Sequence, residues 1–258
     1  MRIKQSVCIP IIKPAAMPLE EFLEKVSQIG YTAVEIWNRE PSFETLVKLS
    51  HKNHLVVSSM VGHDLGQGGL NDPACHDQIE SLLRTSIDVA AENGVPGIIC
   101  FSGNRRPGLD DAQGALNTAA GLRRIAPYAE KKGVNLNLEL LNSKVDHPGY
   151  QCDHTAWGRA VVEQVHSPRV KLLYDIYHMQ ILEGDIIRTI RENIGWIGHF
   201  HTAGVPGRHE LGSSQELNYA GIVQAIEGTA YDLYMGHEFS PTGDAIEGLR
   251  QAYNICKP

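Results

Sequence analysis

The sequence predicts a single-domain α/β fold, a (β/α)8 TIM barrel spanning residues 1–258. Three observations predict it. Short apolar runs alternate with helical periods eight times, with no linker, low-complexity segment or composition break between them. Strands alternating with helices imply a parallel sheet, and eight such units in 258 residues match the size of that barrel. The fifth to eighth apolar runs also end in Glu139, Asp175, His201 and Glu238, at the strand ends where a barrel of this kind keeps its chemistry. A doubly wound open sheet would gather its polar ends at one switch point instead of spreading them over four units.

Taken in order, Ser6–Ile9 reads as the first strand, followed by a loop bounded by Pro10 and Pro18. Leu19, Phe22, Leu23, Val26 and Ile29 fall on one helical face, and Gly30 stops that helix. Ala33–Trp37 is the second strand, Pro41-Ser42 opens the second helix, and Leu55–Met60 is the third strand. Asn71-Asp72-Pro73 is a strong helix start, with a capping side chain before a proline whose missing N–H costs nothing there. That helix runs to Gly94, and Gly97–Phe101 is the fourth strand. Asp110 opens a helix that ends at Gly133, ahead of the fifth strand, Val134–Glu139. A helix over Thr155–Val165 precedes the sixth strand, Val170–Asp175, and Gly184-Asp185 starts the next helix. Trp196–His201, a helix over Tyr219–Ile226, the strand Tyr231–Glu238 and a helix over Asp244–Tyr253 complete the eight units.

Composition narrows the function. A net charge of −7 and a pI near 5.9 leave no electrostatic footprint for nucleic acid. No apolar run reaches the roughly 18 residues a membrane span needs, and Pro10, Lys13 and Pro14 interrupt any signal-peptide core. Five scattered cysteines without C-x-x-C spacing read as reduced thiols of a cytoplasmic protein. The expected partner is a small-molecule carbohydrate or hydroxy-acid substrate. An exposed helix face leaves a homo-oligomer open, with no interface signature beyond ordinary amphipathicity.

Three carboxylates and one imidazole at neighbouring strand ends suit one divalent cation. Mn²⁺ or Mg²⁺ fits first, with Co²⁺ or Zn²⁺ also within reach of the donor set, whereas a structural zinc would favour thiolates. Side chains alternate along a strand, so His199 and His201 point the same way and Phe200 points outward. His201, nearer the C-terminal end, is the better ligand, and His199 lies a layer deeper. His237 must face away from Glu238 and is discounted as a ligand, and Glu35 receives no catalytic role. His51, His54, His76, His154 and His166 fall in helices or at their ends and read as surface or packing residues. Arg208, after Pro206-Gly207 in a loop above the mouth, is placed to pair with a substrate carboxylate. Asn104 and Arg105 follow the fourth strand towards the same mouth, and Trp37 and Tyr150 would wall the pocket or join the core.

Five stretches carry a family likeness: Gly30–Trp37, Asn137–Asn142, Asp175–Gln180, Val205–Glu210 and Gly236–Phe239. Asp175-Ile176-Tyr177-His178-Met179 and Val205-Pro206-Gly207-Arg208-His209-Glu210 are fairly specific together. The chain resembles the xylose isomerase-like sugar isomerase/epimerase superfamily of TIM barrels, most closely the hydroxypyruvate isomerase-type proteins, with ketose 3-epimerases next. The resemblance covers essentially the whole chain. It implies that Glu139, Asp175, His201 and Glu238 bind the metal and that Glu139 and Glu238 form the acid/base pair. It also implies that His178 and Arg208 contact substrate oxygens. Where hydroxypyruvate isomerase-type proteins often continue the first glutamate as E-P-x-N, this chain reads Glu139-Leu140-Leu141-Asn142.

The chemistry so implied is isomerisation of hydroxypyruvate or a related short sugar or sugar acid. A proton alpha to a carbonyl is too weakly acidic for a carboxylate alone, so a metal-stabilised enediolate and two glutamates are required. A ketose 3-epimerase of the tagatose or psicose type would use the same groups. An apurinic endonuclease-like enzyme would need several zincs and a basic surface. A non-catalytic sugar-binding barrel would not need an intact pair of glutamates.

Overall fold

A computed structural model describes residues 3–39 and 42–257 of the chain. Its strands are β1 Lys4–Cys8, β2 Ala33–Ile36, β3 Val56–Val61, β4 Gly97–Cys100, β5 Asn135–Glu139, β6 Val170–Asp175, β7 Ile197–Thr202 and β8 Tyr234–His237. They close in sequence order into a barrel. The helices are α1 Ile9–Ile12, α2 Leu19–Ile29, α3 Phe43–Lys52, α4 His76–Glu92, α5 Asp111–Lys132, α6 Thr155–Val165, α7 Ile176–Leu182, α8 Ile186–Asn193, α9 Tyr219–Glu227 and α10 Ala245–Ile255. Every expected unit is present, and the TIM-barrel fold stands.

Boundaries differ where local chemistry decides. The first strand ends at Cys8 because Pro10 has no N–H to give a ladder; it sits in the first turn of α1, where none is needed. The eighth strand begins at Tyr234, not Tyr231, since its register against β1 starts at Lys4 opposite Tyr234. Asp72 does cap, accepting from Ala74 N at 3.1 Å, but the turn it caps is a short 3₁₀ piece, Pro73–Cys75, leading into α4. A helix that the strand–helix count does not include, α7, follows β6 directly. Asp175 caps it, its Oδ1 accepting from His178 N at 3.1 Å. Pro41, expected to open the second helix, lies outside the described residues; the rest of that helix, α3, starts at Phe43.

Packing gathers the chain into two compact units. The first holds the stretch up to Met60, Asp185–Gly195 and the stretch from His199 on. Phe22, Leu23 and Val26 of α2, Phe200 of β7, Met235 of β8 and Leu249 of α10 are fully buried in it. Tyr31 O–H donates to Leu249 O at 2.9 Å and Gln5 Nε2 to Cys256 O at 3.1 Å, tying the two ends of the chain together. The second unit holds Val61–Gly184 and Trp196–Gly198. Its core is Leu83, Ile87, Ile98, Leu122, Ile125, Leu136, Leu138, Val161, Leu172 and Leu173, all at most 1% exposed. In this unit two loops meet backbone to backbone: a Cβ on Gly69 would lie 2.1 Å from Gly103 Cα, so only glycine allows the approach. The five cysteines are all free, four of them buried. Among the described residues no helix is long and apolar enough to cross a membrane.

Candidate active site

Strand geometry places the candidate side chains. Glu139 is the last residue of β5, Asp175 the last of β6, and Glu238 follows β8 directly. His199 and His201 share one face of β7, while Phe200 turns out to meet the Tyr231 ring at 5.0 Å between centroids. All four candidate ligands are buried, with Glu139 and Glu238 each 5% exposed. Glu139 and Asp175 belong to the second unit; His201 and Glu238 belong to the first, where His201 Nδ1 lies 3.4 Å from Glu238 Oε2. Three carboxylates and an imidazole make the oxygen-rich donor set that a divalent ion takes. A helix-capping Asp175 fits this arrangement as well, because only one of its oxygens is used by the cap.

Within the first unit, Glu238 is the most contacted of these groups. Its Oε2 accepts from Arg208 Nη2 at 2.5 Å and lies 3.4 Å from His201 Nδ1. Its Oε1 accepts from Trp37 Nε1 at 2.9 Å and from the Cys8 thiol at 3.6 Å. Burial raises the pKa of Glu238, but the His201 and Arg208 charges and the hydrogen bonds outweigh it and hold the carboxyl well below its usual range. Arg208 has a left-handed backbone, φ 59°, pinned by its N–H to Gly204 O at 2.9 Å and its carbonyl to Ser240 N at 2.7 Å. Trp37 is therefore half at the surface and half at the site, being 38% exposed.

The sequence gives Glu35 no catalytic role, and the structure sets it against the two histidines of β7. Glu35 lies in β2, buried, with Oε1 2.9 Å from His199 Nε2 and Oε2 3.0 Å from His201 Nε2. Ser6 and Ser58 hydroxyls also donate to Oε1. Burial again pushes upward, and the two imidazoles overturn it, keeping the carboxyl ionised far below its usual range. Gly236 supplies the room: a Cβ there would lie 2.2 Å from Glu35 Oε1. Two signals in the sequence mark this residue. A carboxylate inside the apolar run Ala33-Val34-Glu35-Ile36 needs a buried partner, and a glycine inside a strand marks a close approach. His237 turns the other way, its Nε2 2.9 Å from Gln5 Oε1 and its Nδ1 2.7 Å from the Thr202 hydroxyl.

Within the second unit, Asn142 organises His178. Asn142 Oδ1 accepts the backbone N–H groups of Val145 at 2.8 Å and Asp146 at 3.0 Å. That fixes its amide, whose Nδ2 lies 2.5 Å from Asp146 Oδ2 and 2.6 Å from His178 Nδ1. His178 Nδ1 must then accept, so the ring proton sits on Nε2, 3.7 Å from Asp175 Oδ2. Tyr150 is core: fully buried, it donates its hydroxyl to Glu139 O at 3.0 Å and accepts from Ser102 N at 3.1 Å. Arg105 is engaged by Asp153, at 2.9 and 3.1 Å, and by Asp111, which assigns it to the loops of this unit. Asn104 pairs with Tyr150 in an isolated bridge.

A closed barrel with buried carboxylates and imidazoles at the ends of its later strands defines the class, a TIM barrel. The chain belongs to the xylose isomerase-like TIM-barrel family, which it matches over residues 23–255. It is 27% identical over 238 residues to hydroxypyruvate isomerase of Escherichia coli K12, covering 88% of this chain and 90% of that protein. It is 36% identical over 177 residues to 2-oxo-tetronate isomerase of Cupriavidus necator, covering 69% of this chain and 67% of that one. Among solved structures, a family 2 AP endonuclease from Brucella melitensis superposes over 100% of both chains with a TM-score of 0.87 at 22% identity, a likeness of fold alone.

Proposed function

We propose that this chain is a divalent-metal-dependent isomerase of a short 2-oxo hydroxy acid, hydroxypyruvate first. In this reading residues 1–258 act as one barrel domain in a reducing cytoplasm. The observation that carries the reading is the set of buried carboxylates and imidazole at the C-terminal ends of β5 to β8, Glu139 and Asp175 in one unit and His201 and Glu238 in the other. The two relatives support the substrate class, since hydroxypyruvate and 2-oxo-tetronate are both short 2-oxo acids with a carboxylate beside the carbonyl.

Glu139, Asp175, His201 and Glu238 would hold a divalent cation, which when bound would supply positive charge to offset the negative charge that develops on substrate oxygen. One glutamate of the pair Glu139 and Glu238 removes the proton from the carbon bearing the hydroxyl. The C–H electrons form a carbon–carbon double bond, and the carbonyl electrons move onto oxygen. The other glutamate returns a proton to the former carbonyl carbon, and the hydroxyl proton passes from one oxygen to the other, so no atom is gained or lost. His178, with its proton on Nε2, donates to a substrate oxygen, and Arg208 pairs with the substrate carboxylate.

The test is conversion of hydroxypyruvate to tartronate semialdehyde by protein stripped of metal and then given Mn²⁺ or Mg²⁺. Turnover that returns with metal supports the reading. Absence of turnover, with metal-dependent exchange of the C3 proton of ketoses in D₂O, would replace it with epimerisation.

A further inference from the structure

Glu35 is a buried carboxylate one layer below the strand ends. Four side chains converge on it: Ser6, Ser58, His199 and His201. Serving four donors, an ionised carboxylate can only accept. Both imidazoles must therefore present N–H at Nε2. For His201 this turns Nδ1 away from Glu35, and Nδ1 is the atom 3.4 Å from Glu238 Oε2, the nitrogen whose lone pair a cation would take in place of a proton.

We propose that Glu35 is a positioning residue that locks His201 in the Nε2–H tautomer and turns Nδ1 towards the cation. The proposal rests on the metal-dependent reading above. A ligating histidine that donates its other N–H to a carboxylate is held in orientation and made a more basic ligand, and loss of such a partner costs ~10–100-fold in metal affinity. Two further contacts support the assignment. His199 donates to the other oxygen of the same carboxylate at 2.9 Å, so the Glu35 plane is fixed from both sides. Gly236 leaves room for the carboxylate against β8, since a Cβ there would sit 2.2 Å from Oε1 and 3.0 Å from His201 Cδ2.

The first experiment is nitrogen-15 NMR of the histidine side chains in metal-free protein. His201 Nε2 is expected to carry a proton; a bare Nε2 overturns the proposal without any variant having to fold. The second is calorimetric titration of wild type, Glu35→Gln and His199→Gln with Mn²⁺ and Co²⁺ alone. A glutamine amide offers one acceptor to two N–H groups, so Glu35→Gln should bind about 10–100-fold more weakly and show a changed His201 tautomer. His199→Gln removes one of the two imidazoles that fix the Glu35 plane but leaves the His201 contact in place, and should weaken binding less than Glu35→Gln. Wild-type affinity in Glu35→Gln overturns the positioning role while leaving the functional reading intact. Failure of wild type to bind either metal sinks the functional reading, and the tautomer is still read independently.

Discussion

Arg208 donates from Nη2 to Glu238 Oε2 at 2.5 Å, so the cation expected to meet a substrate carboxylate is already paired with one of the two candidate proton carriers. Its backbone is anchored to Gly204 and Ser240, while its side chain remains 22% exposed. A substrate carboxylate can therefore compete with Glu238 for the same guanidinium without movement of the loop. Arg208→Ala should raise KM for hydroxypyruvate by about 10–100-fold, the value of a charge-assisted hydrogen bond of roughly 1.5–3 kcal/mol. Arg208→Lys should recover only part of it, since an ammonium has no planar fork. Steady-state kinetics with hydroxypyruvate and with an uncharged ketose decide the matter. An equal loss on both would remove the carboxylate role.

Glu139→Gln and Glu238→Gln each keep the volume of the side chain and remove the proton carrier. Each should lower kcat by about 10²–10⁴-fold while leaving the circular dichroism spectrum unchanged. A variant with wild-type kcat would take its residue out of the acid/base pair.

Metal removal should have a stability signature besides the loss of turnover. Three of the four candidate ligands are buried carboxylates, whose charge a bound cation would offset. Mn²⁺ at ~100 times its Kd should add about 2.7 kcal/mol, which for a chain of this length raises Tm by roughly 5–10 °C. Differential scanning fluorimetry of chelator-treated and reloaded protein reads this directly. An unchanged Tm would argue against a resident cation.

Asn142 allows a tautomer test in the second unit. Asn142→Asp keeps the oxygen that accepts from Val145 and Asp146 N–H, but places an acceptor where Nδ2 now meets His178 Nδ1. His178 should then carry its proton on Nδ1 and cease to donate from Nε2. The expected result is KM raised about tenfold or more, from loss of roughly 1–2 kcal/mol of hydrogen bonding. Histidine NMR should show a changed ring-proton position, and an unmoved ring proton would refute the assignment.

His63 predicts how stability follows pH. It is buried, its Nε2 accepts from Phe101 N at 2.9 Å, and burial lowers its pKa from 6.5 to about 4 despite the neighbouring Asp64. The folded form is neutral where the unfolded chain is protonated, so its contribution is fully present above pH 6.5 and is lost as pH falls towards 4. The loss amounts to about 3 kcal/mol. Denaturant melts at pH 7 and pH 4.5 should show His63→Gln losing less stability on acidification than wild type. Equal losses would mean that His63 titrates normally.

Much of this molecule was legible along the chain. Period and breaker residues place the helices closely: Leu19–Ile29, Thr155–Val165 and the Gly133 stop of α5 fall where capping and apolar spacing put them. The four strand ends Glu139, Asp175, His201 and Glu238 were readable because each is a polar group closing an apolar run. These are local properties, governed by backbone hydrogen bonding and by the alternation of faces, and a short window of sequence contains them.

Glu35 was not legible in that way. Its partners His199 and His201 stand 164 and 166 residues further on, and only closure of the sheet brings β2 and β7 carboxylate to imidazole. The Arg208 sequence context points to a substrate carboxylate, whereas its pairing with Glu238 appears only once the structure sets the two side by side. The sequence by itself determined which groups could carry charge and which segments would be strands. The tertiary structure alone decided which charges meet, because burial makes an unpaired carboxylate so costly that each one must find its partner across the fold.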